Sequence, residues 1–279
     1  MAEQLTIPTP AGTFDALAAG PPDGRPVLLL HGFPEGAEQW EHQLQALARA
    51  GHRAVAFDQR GYSAGVRPAE VAAYGPDELI ADVLAVAEAL EWSRFHLVGH
   101  DWGSTVAWMT AAAHPERLRT LATVSTPHGA ALRDALRDDP DQRRRSAYFE
   151  LFRAPAGQAE RALLDDGGLR RLYDGLPAPR VEHYLERFSQ PGALTAALNW
   201  YRAMGRPSRR GAITTPTLYV WSTQDAFIGE TAAHAVARHV AGPYRFEVLD
   251  GISHWISEEA PERLSALLLE HLASRGGPY

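Results

Sequence analysis

The chain has 279 residues, enough to bury roughly three quarters of its unfolded surface in one α/β domain that carries an insertion. Its 45% hydrophobic and 22% charged residues suit a globular protein, and a formal charge of −7 without a long basic run argues against nucleic acid as a partner. Cysteine is absent and all 27 basic residues are arginine, which excludes thiol nucleophiles, cysteine-ligated zinc, Schiff-base lysines and phosphate-loop lysines.

The first twenty residues, MAEQLTIPTPAGTFDALAAG, lack the basic start and apolar run of a secretory signal. No apolar stretch approaches the roughly 18 residues of a membrane span, so a cytoplasmic protein without a membrane partner is expected. Arg25 to Gly32 (RPVLLLHG), His52 to Asp58 (HRAVAFD) and Arg94 to His100 (RFHLVGH) are short apolar runs that stop in Gly or polar turns, as buried parallel strands do. Between the last two, Pro76 to Trp92 places Leu79, Val83, Val86 and Leu90 at helical spacing. TLATVS (Thr120 to Ser125) and PTLYVW (Pro216 to Trp221) continue the strands. YRFEVL (Tyr244 to Leu249), followed by PERLSALLLEHL (Pro261 to Leu272), closes the series as strand then helix. This alternation predicts a doubly wound, mostly parallel α/β core.

The rhythm breaks from about Pro127 to Gly211, where helical patterns replace strands. The expected division is a core of residues 1–126 and 212–279 with a helical lid of residues 127–211, laid over the strand ends where α/β sheets bind ligands.

The stretch VGHDWGSTVAW (Val98 to Trp108) ends a strand and begins a helix around Gly99-His100-Asp101-Trp102-Gly103. That is the context of a nucleophile elbow, with Asp101 as the projected side chain. The pattern alone equally suits an aspartate that caps the following helix. HGFPEGAEQW (His31 to Trp40) follows a strand directly, where a loop can aim backbone N–H groups at a reacting oxygen. Asp225 follows the strand TLYVW, and His254 follows the last strand. The order nucleophile, acid, histidine is that of the α/β-hydrolase fold. Leu194, Ala197, Leu198 and Tyr201 share one helix face, which suits an inward catalytic tyrosine and a packed one alike.

The motifs HGFPE, FDQRGYSAG, GHDWG, STPH, LNWYR and HWISEEAP make the chain resemble the α/β-hydrolase-fold epoxide hydrolases over nearly its whole length. The resemblance implies that Asp101 attacks an epoxide carbon to form an ester. His254, oriented by Asp225, would activate the water that cleaves it, with the N–H groups of Phe33 and Trp102 holding the oxyanion and a vicinal diol as product. It implies Tyr201 as one proton donor to the opening ring. The family's second donor aligns with Leu151, and Tyr148, one turn earlier, is the residue that could stand in. Trp40 and Trp102 are the expected substrate contacts. The implied partners are a small-molecule epoxide and water, with no cofactor and no metal; the oligomeric state is not legible. A haloalkane dehalogenase would share the aspartate, but its usual Asn position after HG is Phe33 and the only tryptophan of the lid is Trp200. A catalytically silent binding protein is the other alternative, and no catalytic position is mutated to favour it.

Overall fold

The computed structural model describes residues 2–205 and 211–273. Eight strands form one sheet: β1 (Glu3–Thr9), β2 (Gly12–Ala19), β3 (Arg25–Leu30), β4 (His52–Phe57), β5 (Phe95–His100), β6 (Leu118–Val124), β7 (Thr217–Ser222) and β8 (Tyr244–Leu249). Their spatial order is β1-β2-β4-β3-β5-β6-β7-β8; β1 and β2 pair antiparallel and β3 to β8 run parallel. The chain therefore has the α/β-hydrolase fold, with a mostly parallel sheet flanked by helices.

The parallel strands alternate their side chains between two cores, as a period of two requires. In β3, Leu28 and Leu30 face a large cluster that continues into the helices above, whereas Val27 and Leu29 face a smaller cluster on the other side. The smaller cluster is covered by α1 (Glu41–Arg49) and by the C-terminal helix Pro261–Ala273. The other face carries α2 (Pro76–Ala89) and α3 (Trp102–Ala113), whose Leu79, Val83, Val86, Val106 and Trp108 are buried.

Between β6 and β7 every described element is helical: α4 (Gly129–Asp138), α5 (Pro140–Arg145), α6 (Tyr148–Phe152), α7 (Gln158–Leu164), α8 (Gly168–Leu172), α9 (Ala178–Ser189) and α10 (Ala193–Arg202). Helix α9 fastens this insertion to the core with one face, because residues three and four apart meet on a helix surface. Arg187 pairs with Asp58 at 2.6 Å and Glu38 at 2.7 Å, Tyr184 donates to Glu258 at 2.6 Å, and Arg180 pairs with Glu41 at 2.9 Å. Beyond β7 the chain adds α11 (Glu230–Ala235), α12 (Ile256–Glu259) and α13, the C-terminal helix named above. Among the described residues no helix is long and apolar enough to cross a membrane.

Candidate active site

Asp101 occupies the one-residue turn between β5 and α3 with φ 50° and ψ −117°, a conformation that non-glycine residues seldom adopt. Close backbone approach enforces the flanking glycines. A Cβ on Gly103 would lie 2.1 Å from the Leu30 carbonyl oxygen, and one on Gly99 would lie 2.3 Å from that of Gly103. Only glycine fits at either place, so the sequence G-H-D-W-G folds into a sharp elbow that lifts the carboxylate above the sheet.

Three elements converge on that carboxylate. The Phe33 N–H, from the loop after β3, donates to Asp101 Oδ1 at 2.9 Å. The Thr126 hydroxyl, just past β6, lies 3.4 Å from Oδ2. His254, in the loop after β8, places Nε2 3.8 Å from Oδ2 and Nδ1 2.9 Å from Asp225 Oδ2. Asp225 follows β7 and is completely buried; its Oδ1 accepts the N–H groups of Phe227 and Ile228 at 2.8 and 3.0 Å. Trp102 is the first residue of α3, so its N–H has no carbonyl of its own helix to bond and points with those of the first turn toward the elbow.

Burial alone would push His254 down, but the Asp225 carboxylate, then Asp101 and Glu35, outweigh it and raise the imidazole from 6.5 to about 9. The same pairing holds Asp225 below the usual carboxylate range, against the opposing effect of burial. Reading along the sequence did not single out Glu35 and His100 for any role. Both are fully buried, with His100 Nδ1 3.0 Å from Glu35 Oε2 and His100 Nε2 3.0 Å from the His254 carbonyl oxygen. The Glu35 contact is close but not aligned as a hydrogen bond. Their positions inside HGFPE and GHDWG were the available signal.

The aromatic wall opposite Asp101 comes from the insertion. Tyr201 is buried, edge-on to Phe33 at 5.4 Å, Trp102 at 5.2 Å and Phe152 at 5.0 Å. Its ring centre lies 6.2 Å from that of Tyr148. Burial, then Tyr148 and Asp101, hold the Tyr201 phenol well above its ordinary value; burial, Asp101 and Asp225 do the same for Tyr148. Both phenols keep their protons. Tyr148 and Tyr201 share cavity walls with Asp101, whereas Leu151 packs against the core and lines neither cavity that touches Asp101.

The expected substrate contact at Trp40 is not found. Trp40 is completely buried in the smaller core with Val27, Leu29, Leu44 and Leu268, on the face of the sheet away from the cavity. The short 3-10 turn Ala37–Trp40 carries the chain back over the sheet before α1, and a large apolar ring is more stable packed there than in solvent. Trp102 does line the cavity, which encloses about 730 Å³.

The alpha/beta hydrolase fold family matches residues 25–261. The chain is 34% identical to the AB hydrolase superfamily protein YfhM of Bacillus subtilis, over 94% of this chain and 95% of that one. It is also 34% identical to Epoxide hydrolase A of Mycobacterium tuberculosis, with 91% and 92% covered. Among solved structures, an epoxide hydrolase mutant from Bacillus megaterium in complex with its diol product superposes with a TM-score of 0.88 at 25% identity, covering 96% of this chain and all of the other. An elbow aspartate backed by a histidine and a buried acid, together with these relatives, leads to one conclusion: the chain belongs to the epoxide hydrolase family of α/β-hydrolase-fold enzymes.

Proposed function

We propose that this enzyme hydrolyses an epoxide to a vicinal diol through a covalent ester on Asp101. The observation that carries the reading is the Asp101 carboxylate itself: Oδ1 is held by the Phe33 N–H, Oδ2 lies 3.8 Å from His254 Nε2, and the residue lines a cavity together with two protonated tyrosines. Oδ2 attacks an epoxide carbon, the C–O bond breaks, and the departing oxygen takes a proton from Tyr201, assisted by Tyr148. The imidazolium of His254 then returns a proton to the phenolate, which leaves His254 neutral. In the second half, neutral His254 removes a proton from water and the oxygen attacks the ester carbonyl carbon. The N–H groups of Phe33 and Trp102 hold the oxyanion at Oδ1. Collapse releases the diol and the carboxylate, with the proton back on His254. Asp225 orients the imidazole and stabilises its charge.

In this reading residues 127–211 act as a lid over a core of residues 1–126 and 212–279, and the chemistry calls for no cofactor. A halide-releasing reaction is disfavoured because the position after HG that usually carries a halide-gripping Asn is Phe33, and two tyrosines line the cavity with Asp101. The test incubates the protein with styrene-type, aliphatic and polycyclic epoxides and with bromoalkanes, and follows diol and halide. A single turnover in heavy-oxygen water should put the label into Asp101 and not into the diol. His254→Gln should accumulate an alkyl-enzyme seen by intact mass. Label appearing first in the diol, or halide without diol, would defeat the proposal.

A further inference from the structure

Asp225 lies in the loop of residues 223–229 between β7 and α11. One carboxylate oxygen faces the His254 imidazole, and the other accepts the N–H groups of Phe227 and Ile228, which belong to the same loop. The carboxylate is therefore held by the backbone that follows it, and its aim depends on the shape of that backbone. The Phe227 ring sits edge-on to His254 at 4.8 Å and lines both cavities that touch Asp101, so the same loop also sets the apolar surface beside the imidazole.

The far side of this loop is bonded to the insertion. Gln142 of α5, 85 positions from Phe227 along the chain, donates its amide to the Phe227 carbonyl at 2.9 Å and accepts the Gly229 N–H at 2.8 Å. A carbonyl and an N–H two residues apart are what a neighbouring parallel strand engages, so the side-chain amide stands in for a peptide group. Gln142 is completely buried, and its amide also reaches the Ser146 hydroxyl at 2.9 Å, which leaves it a single satisfied orientation. Arg145, three residues on and so on the same helix face, donates Nη1 to the Asp225 carbonyl oxygen at 2.5 Å while Asp141 holds its Nε at 2.6 Å. A Cβ on Gly229 would lie 3.4, 3.4 and 3.5 Å from Asp141 Oδ2, Gln142 Oε1 and Arg145 Nε, so three side chains of α5 converge on the end of the loop. The helix is itself fixed at its start, where the Asp139 side chain accepts the Asp141 N–H at 2.8 Å ahead of Pro140.

Resting on the function proposed above, we infer that Gln142 and Arg145 are positioning residues: from the insertion they hold the loop in the shape that aims Asp225 at His254, so the base of the second half-reaction is complete only with α5 against the core. Neither touches a reacting atom. Ester formation calls on Asp101, the Phe33 N–H and the two tyrosines, whereas ester hydrolysis calls on His254 and hence on Asp225. Loosening the loop should therefore slow the second half selectively. A misplacement of about 1 Å can cost on the order of 10²-fold; with the Phe227 and Ile228 bonds to Asp225 still in place, losing the Gln142 amide should cost about tenfold.

The experiment takes whichever epoxide of the panel gives diol and separates alkylation from ester hydrolysis by single-turnover stopped flow in the native protein, Gln142→Met, Arg145→Met and Arg145→Lys. Gln142→Met should slow hydrolysis about tenfold and alkylation less than about twofold. Arg145→Met should show the same split, reduced to about threefold, and Arg145→Lys, which keeps a donor for the Asp225 carbonyl, should recover most of the loss. Gln142→Met leaves two interior backbone groups without their partner; should it not fold, the two Arg145 variants decide alone. A second readout needs no substrate. The ionisable groups facing His254 are Asp225, Asp101, Glu35 and His100; burial lowers its imidazole and Asp225 is the largest influence raising it. Ring-carbon NMR titration should therefore find the imidazole about one unit below its value of about 9 in Gln142→Met, and lowered in Arg145→Met as well. Equal losses in both half-reactions would reduce the two residues to structural supports, and unchanged rates with an unchanged imidazole would show that the loop keeps its shape unaided; either result overturns the inference. If no epoxide alkylates the native protein, the epoxide reading fails, and the titration still decides whether α5 aims Asp225.

Discussion

Replacing Asp101 by asparagine removes one negative charge and keeps nearly the same shape, so it reproduces the electrostatics of the proposed ester intermediate. The charge lost sits 3.8 Å from His254 Nε2. Coulomb attraction at that separation is worth about 1 kcal/mol at the dielectric of water and about 4 kcal/mol at an effective dielectric of 20. The upper figure is a ceiling, since burial and the Asp225 pair rank ahead of Asp101 in setting the imidazole. One pKa unit corresponds to about 1.4 kcal/mol, so His254 should fall by about one to two units, from about 9 to roughly 7–8. Ring-carbon NMR titration of histidine-labelled protein, with His254→Gln to assign the resonance, measures this directly. An unchanged pKa in Asp101→Asn would refute the idea that ester formation itself turns His254 from a stored acid into a base.

Three further outcomes can be measured. Tyr201→Phe should slow enzyme alkylation by on the order of 10²-fold with little effect on ester hydrolysis, and Tyr148→Phe considerably less; stopped-flow alkylation rates decide it, and equal losses would contradict the ranking. Arg187→Met leaves Asp58 and Glu38 without their shared partner at the joint between insertion and core, and should cost about 2–3 kcal/mol in urea unfolding; a loss too small to measure would show that the joint is apolar. Stability should peak near pH 6.5. Burial pushes His31 down to about 4 and His96 to about 3, so below 6.5 the unfolded chain binds their protons first and stability falls by about 2 kcal/mol per group at pH 5; His254, raised to about 9, contributes fully below 6.5 and less as pH climbs through 9. Urea midpoints that keep rising from pH 7 to 9 would contradict that sign.

The central strands were legible because parallel strands buried on both faces read as unbroken apolar runs: RPVLLL and HRAVAF became β3 and β4. The β1–β2 hairpin was not legible. Its strands lie at the edge of the sheet with alternating exposure, and Pro8 and Pro10 make QLTIPTPAG look like a loop. Trp40 misled for a different reason, since a motif locates a loop in the chain but says nothing of which side of the sheet its last residue turns toward. The contact between Glu35 and His100 spans 65 positions and exists only once β3 and β5 lie side by side. Tyr148 begins a helix of only five residues, whose orientation is set by the rings packed around it, Phe149, Phe152, Tyr201 and Phe227, and not by its own periodicity.

The elbow at Asp101 also bears on how this protein could change over generations. A non-glycine residue held at φ 50° and ψ −117° costs about 1–3 kcal/mol, and that strain belongs to the position whatever its chemistry. Asp101→Gly would relax the backbone but forfeit the bond from Phe33, the weaker contact with Thr126 and the attraction to the His254 imidazolium 3.8 Å away, which together offset the strain released. The substitution that relaxes this strain is thus also one that, in the proposed mechanism, abolishes the chemistry. Selection for heat resistance alone would place no premium on the strained aspartate, whereas demand for turnover does.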